Sequence, residues 1–477
     1  MNLQQVLNGI SYKIFGGKSC EVTSLACDTR DVKKGCLFFC LKGSRHDGHD
    51  FFRKAIGDGA AAVVCEKPLP TQALQIVVDD VRSAMAVAAK NFFDSHVDDL
   101  RVIAVVGTNG KTSTSYILQS ILSKAGYNTA VIGTNGIFFN GQKYASTLTT
   151  PDPIALHYWF AQMYLNRVKY VVMEVSAHAI ALQKMRGICC DTAIYTNFSQ
   201  DHLDYFKTMQ RYAECKKSFF CEQYVKNAVV NVDDELGQQI AEIAPSCATY
   251  AIDSVADVTA NKVDAEKGCS FEIDLFGRKA KINSPLSGKF NVYNILAAAT
   301  CAALYGVDID TITEGIAEVE RIDGRNETML RSDNVRIVVD FAHTPDGIEN
   351  ILSYLKSTTE NNLIVVFGCG GNRDKFKRPL MAEKVSKYAD FAVVTNDNPR
   401  FEDPVDIAND VVCGLSCKYK TILNRSQATE YALSVAASGD TVAILGKGAE
   451  CYQEVRGKKI PYSDIDVVRS LIRARCT

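Results

Sequence analysis

The stretch RVIAVVGTNGKTS, residues 101–113, decides the fold of this chain. Residues 102–106 are all apolar, which is typical of a parallel strand buried on both faces. Glycines and a Lys-Thr pair follow, and a helical pattern then runs over residues 113–125. We therefore predict a strand over residues 101–106, a phosphate-binding loop after it and a helix that begins at the loop.

The residue types in this loop suit the phosphates of a nucleotide. Glycines let backbone N–H groups close around phosphate oxygens, and the helix N-terminus adds partial positive charge. Lys111 supplies a full charge, and the hydroxyl of Thr112 can reach Mg²⁺. The loop is shorter than the pattern GxxxxGK[ST], because Val105 stands where the first glycine would be, so a structural turn is the alternative. The predicted nucleotide-binding residues are Gly107, Thr108, Asn109, Gly110, Lys111, Thr112 and Ser113.

Further apolar runs divide the chain into three predicted domains. Runs that belong with the loop are at residues 170–173, 192–195 and 228–230. Earlier runs are at 36–40, 61–65 and 75–78, and later ones at 335–339, 363–367, 391–394 and 441–445. Strands that alternate with helical patterns favour α/β domains with parallel sheets. We predict a smaller N-terminal α/β domain (1–98), a central doubly wound domain (99–327) and a C-terminal Rossmann-like α/β domain (328–477).

Composition excludes several classes of partner. Lys and Arg total 53 and Asp and Glu total 55, so the net charge of −2 creates no global field that attracts nucleic acid or anionic lipid. No apolar stretch approaches the roughly 20 residues that span a bilayer, and the first residues lack a signal-peptide pattern. The 17 scattered cysteines favour a reducing compartment, since they would risk wrong pairing in an oxidising one. We expect a cytoplasmic monomer that acts on small molecules.

Two polar residues follow predicted strands of the central domain. Glu174 comes directly after the run 170–173, and His202 follows the run 192–195. Because ligands of doubly wound sheets bind at the carboxyl ends of the strands, this carboxylate and imidazole can hold a hard cation beside the phosphates. Each residue taken alone is equally compatible with an ordinary polar loop.

These residues together resemble the Mur ligases, whose nucleotide loop also reads GTNGKT. Folylpolyglutamate synthases share a related loop, so the loop alone indicates the superfamily and not the substrate. The residues that match the set shared by Mur ligases, in chain order, are Lys111, Glu174, His202, Asn291, Asn294, Arg325 and Asp340. The resemblance implies that Glu174 and His202 bind Mg²⁺ with Thr112, and that the last four residues lie around ATP.

The resemblance also implies a catalytic mechanism. Lys216 matches a lysine that is carbamylated in this family, and the carbamate turns a cation into an anionic oxygen ligand for a second metal ion. A solvated lysine beside Lys217 is the alternative. As a carbamate, Lys216 would form the catalytic set with Lys111, Glu174 and His202. In the implied reaction a substrate carboxylate attacks the γ-phosphate of ATP, and an amine then displaces phosphate from the acyl phosphate.

The N-terminal part is similar to the UDP-binding domain of the Mur ligases that add the third residue to the UDP-linked peptidoglycan precursor peptide. The similar runs are DTR at 28–30, GCLF at 35–38 and KGSRHDGH at 42–49. The substrate-binding residues that this implies are Cys27, Thr29, Ser44, Arg45, His46, Thr149, Thr150, Ser176 and Lys184. The family usually has Arg at Lys184 and Ser at Ala177; Lys keeps the charge but loses the two-point fork.

The C-terminal part carries runs that resemble those which select the incoming amino acid. They are GCGGNRDK at 368–375, DNPR at 397–400 and GKGAE at 446–450, the last with Ala449 in place of the usual His. The pocket that the resemblance implies consists of Arg373, Asp397, Asn398, Pro399, Arg400, Gly446 and Glu450. DNPR marks users of meso-2,6-diaminopimelate, whose second carboxylate can pair with Arg400 in a two-point fork, and Glu450 would meet the ammonium group.

The expected activity is therefore ATP-dependent addition of meso-2,6-diaminopimelate to UDP-N-acetylmuramoyl-L-alanyl-D-glutamate. One alternative is the same reaction with lysine or another diamino acid. A second is a ligase like folylpolyglutamate synthase, which would not need the DTR, GxLF and DGH runs. A third is a non-catalytic nucleotide-binding protein with the Mur fold, which would have no use for a second metal ligand at Lys216.

Overall fold

A computed structural model describes residues 1–17, 19–43 and 46–476. In that part of the chain the main strands form three successive sheets, each with helices packed against it. This confirms the predicted α/β class. The predicted boundaries near residues 98 and 327 stay predictions; the second sheet begins at Arg101 and the third at Glu327.

The first sheet has the strand order β1-β5-β4-β3-β2. Its strands are β1 (Lys13–Phe15), β2 (Ser24–Ala26), β3 (Cys36–Phe39), β4 (Ala60–Cys65) and β5 (Gln75–Val77), and its helices are α1 (Leu3–Val6), α2 (Phe52–Gly57) and α3 (Val81–Phe93). Only β1 is antiparallel to its neighbour among the described pairs. Helix α3 begins where the Asp80 side chain accepts hydrogen bonds from two backbone N–H groups, which is a typical N-cap.

The second sheet contains the phosphate loop. Its strands are β6 (Arg101–Val106), β7 (Thr129–Gly133), β8 (Gly136–Phe139), β9 (Gln142–Tyr144), β10 (Tyr170–Glu174), β11 (Cys190–Tyr195), β12 (Val225–Asn231), β13 (Cys247–Ala251), β14 (Val258–Asp264), β15 (Cys269–Leu275) and β16 (Arg278–Ser284). Its helices are α4 (Lys111–Lys124), α5 (Pro153–Leu165), α6 (Ala177–Ala181), α7 (Leu203–Phe206), α8 (Met209–Lys217), α9 (Glu235–Ile243), α10 (Lys289–Leu304) and α11 (Ile309–Ala317). The order is β16-β15-β14-β13-β12-β11-β6-β10-β7-β8-β9.

Strand β6 lies at the centre of this sheet, between β10 and β11, and is parallel to both. Ile103 and Val105 pack into the core on one face, and Val102, Ala104 and Val106 pack into the core on the other. The prediction of a strand buried on both faces is therefore confirmed. Because the chain order changes at β6, the loop after it opens into the crevice where doubly wound sheets bind ligands.

The third sheet has the order β17-β18-β22-β19-β20-β21. Its strands are β17 (Glu327–Leu330), β18 (Arg336–Asp340), β19 (Leu363–Phe367), β20 (Phe391–Val394), β21 (Lys418–Thr421) and β22 (Thr441–Leu445), and a hairpin follows with β23 (Tyr452–Val455) and β24 (Lys458–Pro461). The helices are α12 (Pro345–Thr358), α13 (Lys377–Tyr388), α14 (Pro404–Val412), α15 (Arg425–Val435) and α16 (Asp464–Cys476). The sheet is parallel except at the edge strand β17.

The structure adds two features that the sequence analysis lacked. Strands β14, β15 and β16 extend the second sheet as an antiparallel meander, and β8 and β9 extend its other edge.

No helix within the described residues is both long and apolar enough to cross a membrane.

Candidate active site

A cavity of about 920 Å³ lies between the second and third sheets, at the carboxyl ends of β6, β10 and β11. Residues from the phosphate loop line one side of it, and residues that follow β18, β19, β20 and β22 line the other. Most of the predicted site residues meet in this space. Among the predicted residues that the structure describes, those outside its lining are Gly107, Lys216, Cys27, Thr29, His46 and Pro399.

The phosphate loop is held by a glycine and a lysine. Gly110 has φ +85°, and a Cβ there would lie 2.5 Å from Oδ1 of Asn294, so a larger residue is strained on both counts. Lys111 Nζ donates to the carbonyl oxygens of Gly107 and Thr108 at 2.9 and 2.8 Å. Burial lowers the pKa of Lys111. The loop thus presents its lysine and the N-terminus of α4 to the same side of the cavity.

Glu174 is fixed at the end of β10 by several donors. Thr112 Oγ1 donates to its Oε1 at 2.9 Å, and the backbone N–H and hydroxyl of Thr134 donate to its two oxygens at 2.9 and 3.0 Å. Arg325 Nη2 donates to the same Thr112 hydroxyl at 2.8 Å. Glu174 is buried, so this predicted ligand lies immobilised beside the loop.

His202 lies in a cluster of charged groups between the second and third sheets. Its neighbour Asp201 forms a 3.0 Å ion pair with Lys377 and lies 3.3 Å from Nε2 of His202. Burial lowers the pKa of His202 to about 3, against the opposing effect of Asp201, so the imidazole is neutral at pH 7 and has a lone pair to offer a metal ion. Burial alone would raise the pKa of Asp201, but Lys377 and the nearby histidines outweigh it and hold that pKa well below its usual range.

Lys216 lies in α8, outside the lining of the cavity, with a relative exposure of 1 %. Its Nζ is 4.8 Å from the centre of the Tyr212 ring. Burial and the neighbouring charge of Lys111 hold its pKa well below the usual range, which favours the neutral amine that condenses with CO₂. Within the described ranges, no three His, Cys, Asp or Glu residues are grouped as a metal site by themselves.

The predicted nucleotide residues of α10 and β18 line the cavity next to the loop. Asn294 Nδ2 donates to Asn291 Oδ1 at 3.0 Å, and the guanidinium of Arg325 lies 4.3 Å from the centre of the Phe341 ring. Asp340 accepts from the backbone N–H groups of Asn326 and Ala342, both at 2.7 Å, and burial raises the pKa of its carboxyl group.

The predicted substrate residues are divided between the first and second sheets. Thr149, Thr150, Ser176 and Lys184 line the cavity. Lys184 Nζ forms a 2.9 Å ion pair with Asp152 and donates to the Thr150 carbonyl at 3.0 Å. In the N-terminal domain, burial raises the pKa of Cys27 to about 12, and the charge of Asp152 is a smaller cause of the same rise. Thr29 lies in a short 3₁₀ turn, and the His46 and Phe51 rings meet edge to face. Ser44 and Arg45 lie outside the described residues.

The predicted amino-acid pocket occupies the opposite wall, where its lining residues are Arg373, Asp397, Asn398, Arg400, Gly446 and Glu450. Glu450 already accepts from Lys447 at 2.7 Å and from Asn398 at 3.0 Å. Pro399 is buried behind the lining.

The sequence analysis did not identify several residues that line the cavity. They are His178, Asp201, His343 and Lys377. Asp201 precedes the predicted ligand His202, and Lys377 lies shortly after the run 368–375, so proximity in sequence was the available signal. Their convergence depends on how the second and third sheets pack, which no local pattern reports.

Three family models match the chain: Mur ligase family, catalytic domain, over residues 21–93; Mur ligase middle domain, over 105–302; and Mur ligase, glutamate ligase domain, over 324–448. They cover most of the cavity lining and most of the chain.

Several similar proteins carry the name UDP-N-acetylmuramoyl-L-alanyl-D-glutamate--2,6-diaminopimelate ligase. The protein of that name from Geobacillus kaustophilus is 41% identical over 471 residues, which covers 96% of each chain. The one from Bacillus velezensis is 40% identical over 457 residues, covering 94% of this chain and 93% of its own. A solved structure of that name is 32% identical, covers 96% of both chains and superposes with a TM-score of 0.66. The chain belongs to the Mur ligase family.

Proposed function

We propose that this chain is an ATP-dependent ligase that joins meso-2,6-diaminopimelate to UDP-N-acetylmuramoyl-L-alanyl-D-glutamate in peptidoglycan precursor synthesis. The observation that carries the proposal is the cavity whose wall combines the phosphate loop, Glu174 with His202, and Arg400. Mur ligases are ATP-dependent, and the names of the relatives support the UDP-linked dipeptide and diaminopimelate as the other two substrates.

The phosphate loop supplies the positioning that phosphoryl transfer needs. Lys111 and the N-terminus of α4 offset the charge of the β- and γ-phosphates, while Asn294, Arg325 and Asp340 hold the rest of the nucleotide. The dipeptide carboxylate then attacks the γ-phosphorus, which gives an acyl phosphate and ADP. Most of the rate enhancement comes from fixing these groups in line rather than from proton transfer.

The residues present fit a divalent cation beside the phosphates. The Thr112 hydroxyl, the Glu174 carboxylate and the neutral His202 imidazole are the oxygen and nitrogen donors that such ions accept. Lys216 would join them as a carbamate, since burial and the charge of Lys111 lower the pKa of its amine and so favour the form that condenses with CO₂. A bound Mg²⁺ neutralises the charge that develops on the transferred phosphoryl group.

The opposite wall supports the second half-reaction. An amino group held there attacks the acyl carbon, and the tetrahedral intermediate collapses to the amide and orthophosphate. Arg373 and Arg400 are suited to the carboxylates of diaminopimelate, because a guanidinium binds a carboxylate through two parallel hydrogen bonds. Lys447 already compensates the charge of Glu450, so Glu450 would bind the distal ammonium group as part of a network.

The free thiols of the described cysteines support a cytoplasmic location as part of the same proposal. A monomer remains our prediction for the oligomeric state, and size-exclusion chromatography with light scattering tests it.

The deciding experiment is mass spectrometry of the amide product. The purified chain receives ATP, Mg²⁺ and UDP-N-acetylmuramoyl-L-alanyl-D-glutamate, with equal concentrations of meso-diaminopimelate, lysine and ornithine. We expect the diaminopimelate amide to dominate and to form with equimolar phosphate. A lysine or ornithine product would replace the proposed amino acid, and phosphate release absent with every amine would overturn the ligase activity itself.

A further inference from the structure

The guanidinium of Arg400 has contacts on the side that faces away from the cavity. Arg400 belongs to the lining of the cavity, whereas Glu454 lies outside that lining as described. Arg400 Nε donates to Glu454 Oε2 at 3.0 Å, and Nη1 donates to the Gly371 carbonyl at 2.8 Å. The carboxylate of Glu454 therefore holds the guanidinium from behind.

The backbone around this ion pair is fixed as well. Arg400 N–H donates to the Glu454 carbonyl at 2.9 Å, and Arg456 N–H donates to the Arg400 carbonyl at 2.7 Å. Strand β23 thus pairs with the segment that carries Arg400. Arg400 itself has φ +53°, a conformation that non-glycine residues adopt at a cost, so these bonds maintain a turn that aims its side chain.

The space around the guanidinium leaves little freedom. A Cβ at Gly370 would lie 2.9 Å from Arg400 Nη1, so the glycine makes room for it. The side chains of Arg400 and Glu454 are 18% and 28% exposed, so water screens their pairing only in part. Within the described residues, the hydrogen bonds of this side chain use Nε and Nη1, which leaves the N–H groups of Nη2 as a free edge for a carboxylate from the cavity.

We propose that Glu454 is the positioning residue of Arg400 and, through it, a determinant of selectivity for an amino acid with a second carboxylate. This inference rests on the proposed function, since it assigns the ligand of Arg400 to the incoming diaminopimelate. A carboxylate in front of the guanidinium would compete with that ligand. Glu454 binds Nε instead, so it orients the free edge toward the cavity. It also limits the rotamers of Arg400, which reduces the loss of side-chain entropy when the ligand binds.

The test is a double-mutant cycle on the full chain with Glu454→Ala, Glu454→Gln, Arg400→Ala and the double variant Arg400→Ala/Glu454→Ala. Glu454→Ala should raise the KM for diaminopimelate about tenfold, the scale of a weakened charged hydrogen bond, with kcat and the KM for ATP and the UDP-dipeptide unchanged. Glu454→Gln should recover part of the loss, because its amide oxygen still accepts from Nε. In the Arg400→Ala background, Glu454→Ala should add nothing, since coupled residues are not additive.

Glu430→Gln is the matched control, because Glu430 is an exposed residue of α15 and undergoes the same chemical change. An unchanged or lowered KM in Glu454→Ala, or an additive cycle, would overturn the positioning role while the proposed function stands. A wild-type chain that forms no diaminopimelate amide would overturn the proposed function itself. If Glu454→Ala unfolds, the KM of Glu454→Gln with and without Arg400→Ala decides the question.

Discussion

At the residue scale, Lys216 combines near-complete burial with proximity to the charge of Lys111 in the phosphate loop. We predict that Lys216→Ala abolishes amide formation but leaves ATP binding nearly intact, because the proposed nucleotide contacts come from the loop, α10, Arg325 and Asp340 and not from α8. Turnover and nucleotide affinity, measured by phosphate release and by isothermal titration, check this. Lys217→Ala changes the neighbouring, partly exposed lysine and should retain activity. Full activity in Lys216→Ala would remove the residue from the mechanism.

Arg400 is the second residue with a distinct prediction. Arg400→Ala should weaken the use of diaminopimelate by about 1–3 kcal/mol in kcat/KM, the range for loss of a hydrogen bond to a charged group. The KM for ATP should stay unchanged, since the nucleotide loop lies on the other wall. Steady-state kinetics with varied diaminopimelate measure the change, and Arg456→Ala, an exposed arginine of the same hairpin, is the control. An unchanged kcat/KM would contradict the assigned role.

Many residues that line the cavity were predicted from the sequence, but their partners were not. The loop, Glu174 and His202 follow buried strands, and that position in a doubly wound sheet already places them at one edge. The pairing of Arg400 with Glu454 depends on how β23 lies along the segment 397–400, which is a contact between distant parts of the chain. The Lys447 partner of Glu450 likewise became evident only in three dimensions.

At the element scale, α11 packs closely against α4, the helix that begins at the phosphate loop. A Cβ on Gly315 would lie 2.6 Å from Cα of Ile121, so the backbones of the two helices approach each other there. Gly315→Ala should therefore lower the stability of the central domain by about 1–3 kcal/mol, the usual cost of overpacking. Hydrogen exchange of α4 and α11, with chemical unfolding, measures the change.

The matched control is Gly57→Ala in α2, where an added Cβ meets nothing within 4 Å. That substitution should leave stability unchanged or raise it slightly, because alanine reduces the freedom of the unfolded chain. Equal protection of α4 in Gly315→Ala and in the parent protein would contradict the packing argument.

Elements buried on both faces were the most predictable part of the fold. The strands expected at 101–106, 363–367, 391–394 and 441–445 have the same ends in the structure. The meander β14–β16 escaped prediction because it lies at the sheet edge, where inward residues alternate with polar ones. Strand β15, for example, buries Cys269, Phe271, Ile273 and Leu275 but exposes Glu272 between them.

At the scale of the whole molecule, the proposed reaction needs groups from separate domains to meet in one cavity. The phosphate loop belongs to the second sheet and the amino-acid pocket to the third, so their relative position sets the distance between the acyl phosphate and the amine. Contacts that cross this division are therefore as important for catalysis as the residues that touch substrate. Asn109 of the loop donates to Asp346 of α12 at 2.7 Å, which is one such contact.

The ion pair between Asp201 and Lys377 is another contact between the central and C-terminal domains, and the two side chains are only 7% and 8% exposed. Lys377→Met keeps an unbranched side chain but leaves Asp201 buried without its cation, which costs about 3–5 kcal/mol when such a pair is broken. The two domains can relieve that cost by separating, so we expect kcat to fall at least about tenfold. A tenfold fall corresponds to about 1.4 kcal/mol, which is less than the cost of the broken ion pair. Nucleotide affinity should be kept, and small-angle scattering should report a larger radius of gyration.

Lys375→Met provides the control for this last prediction. Lys375 lies two residues before Lys377, at which helix α13 begins. Its partner Glu402 belongs to the same C-terminal domain, and the Lys375 side chain is 63% exposed. Glu402 keeps its 3.0 Å ion pair with Arg378 when the Lys375 pair is lost, so both kcat and the scattering profile should match those of the parent chain. If Lys377→Met also kept its kcat and its radius of gyration, the position of the third sheet over the phosphate loop would have to be maintained by other contacts, and Asn109 with Asp346 would be the next pair to test.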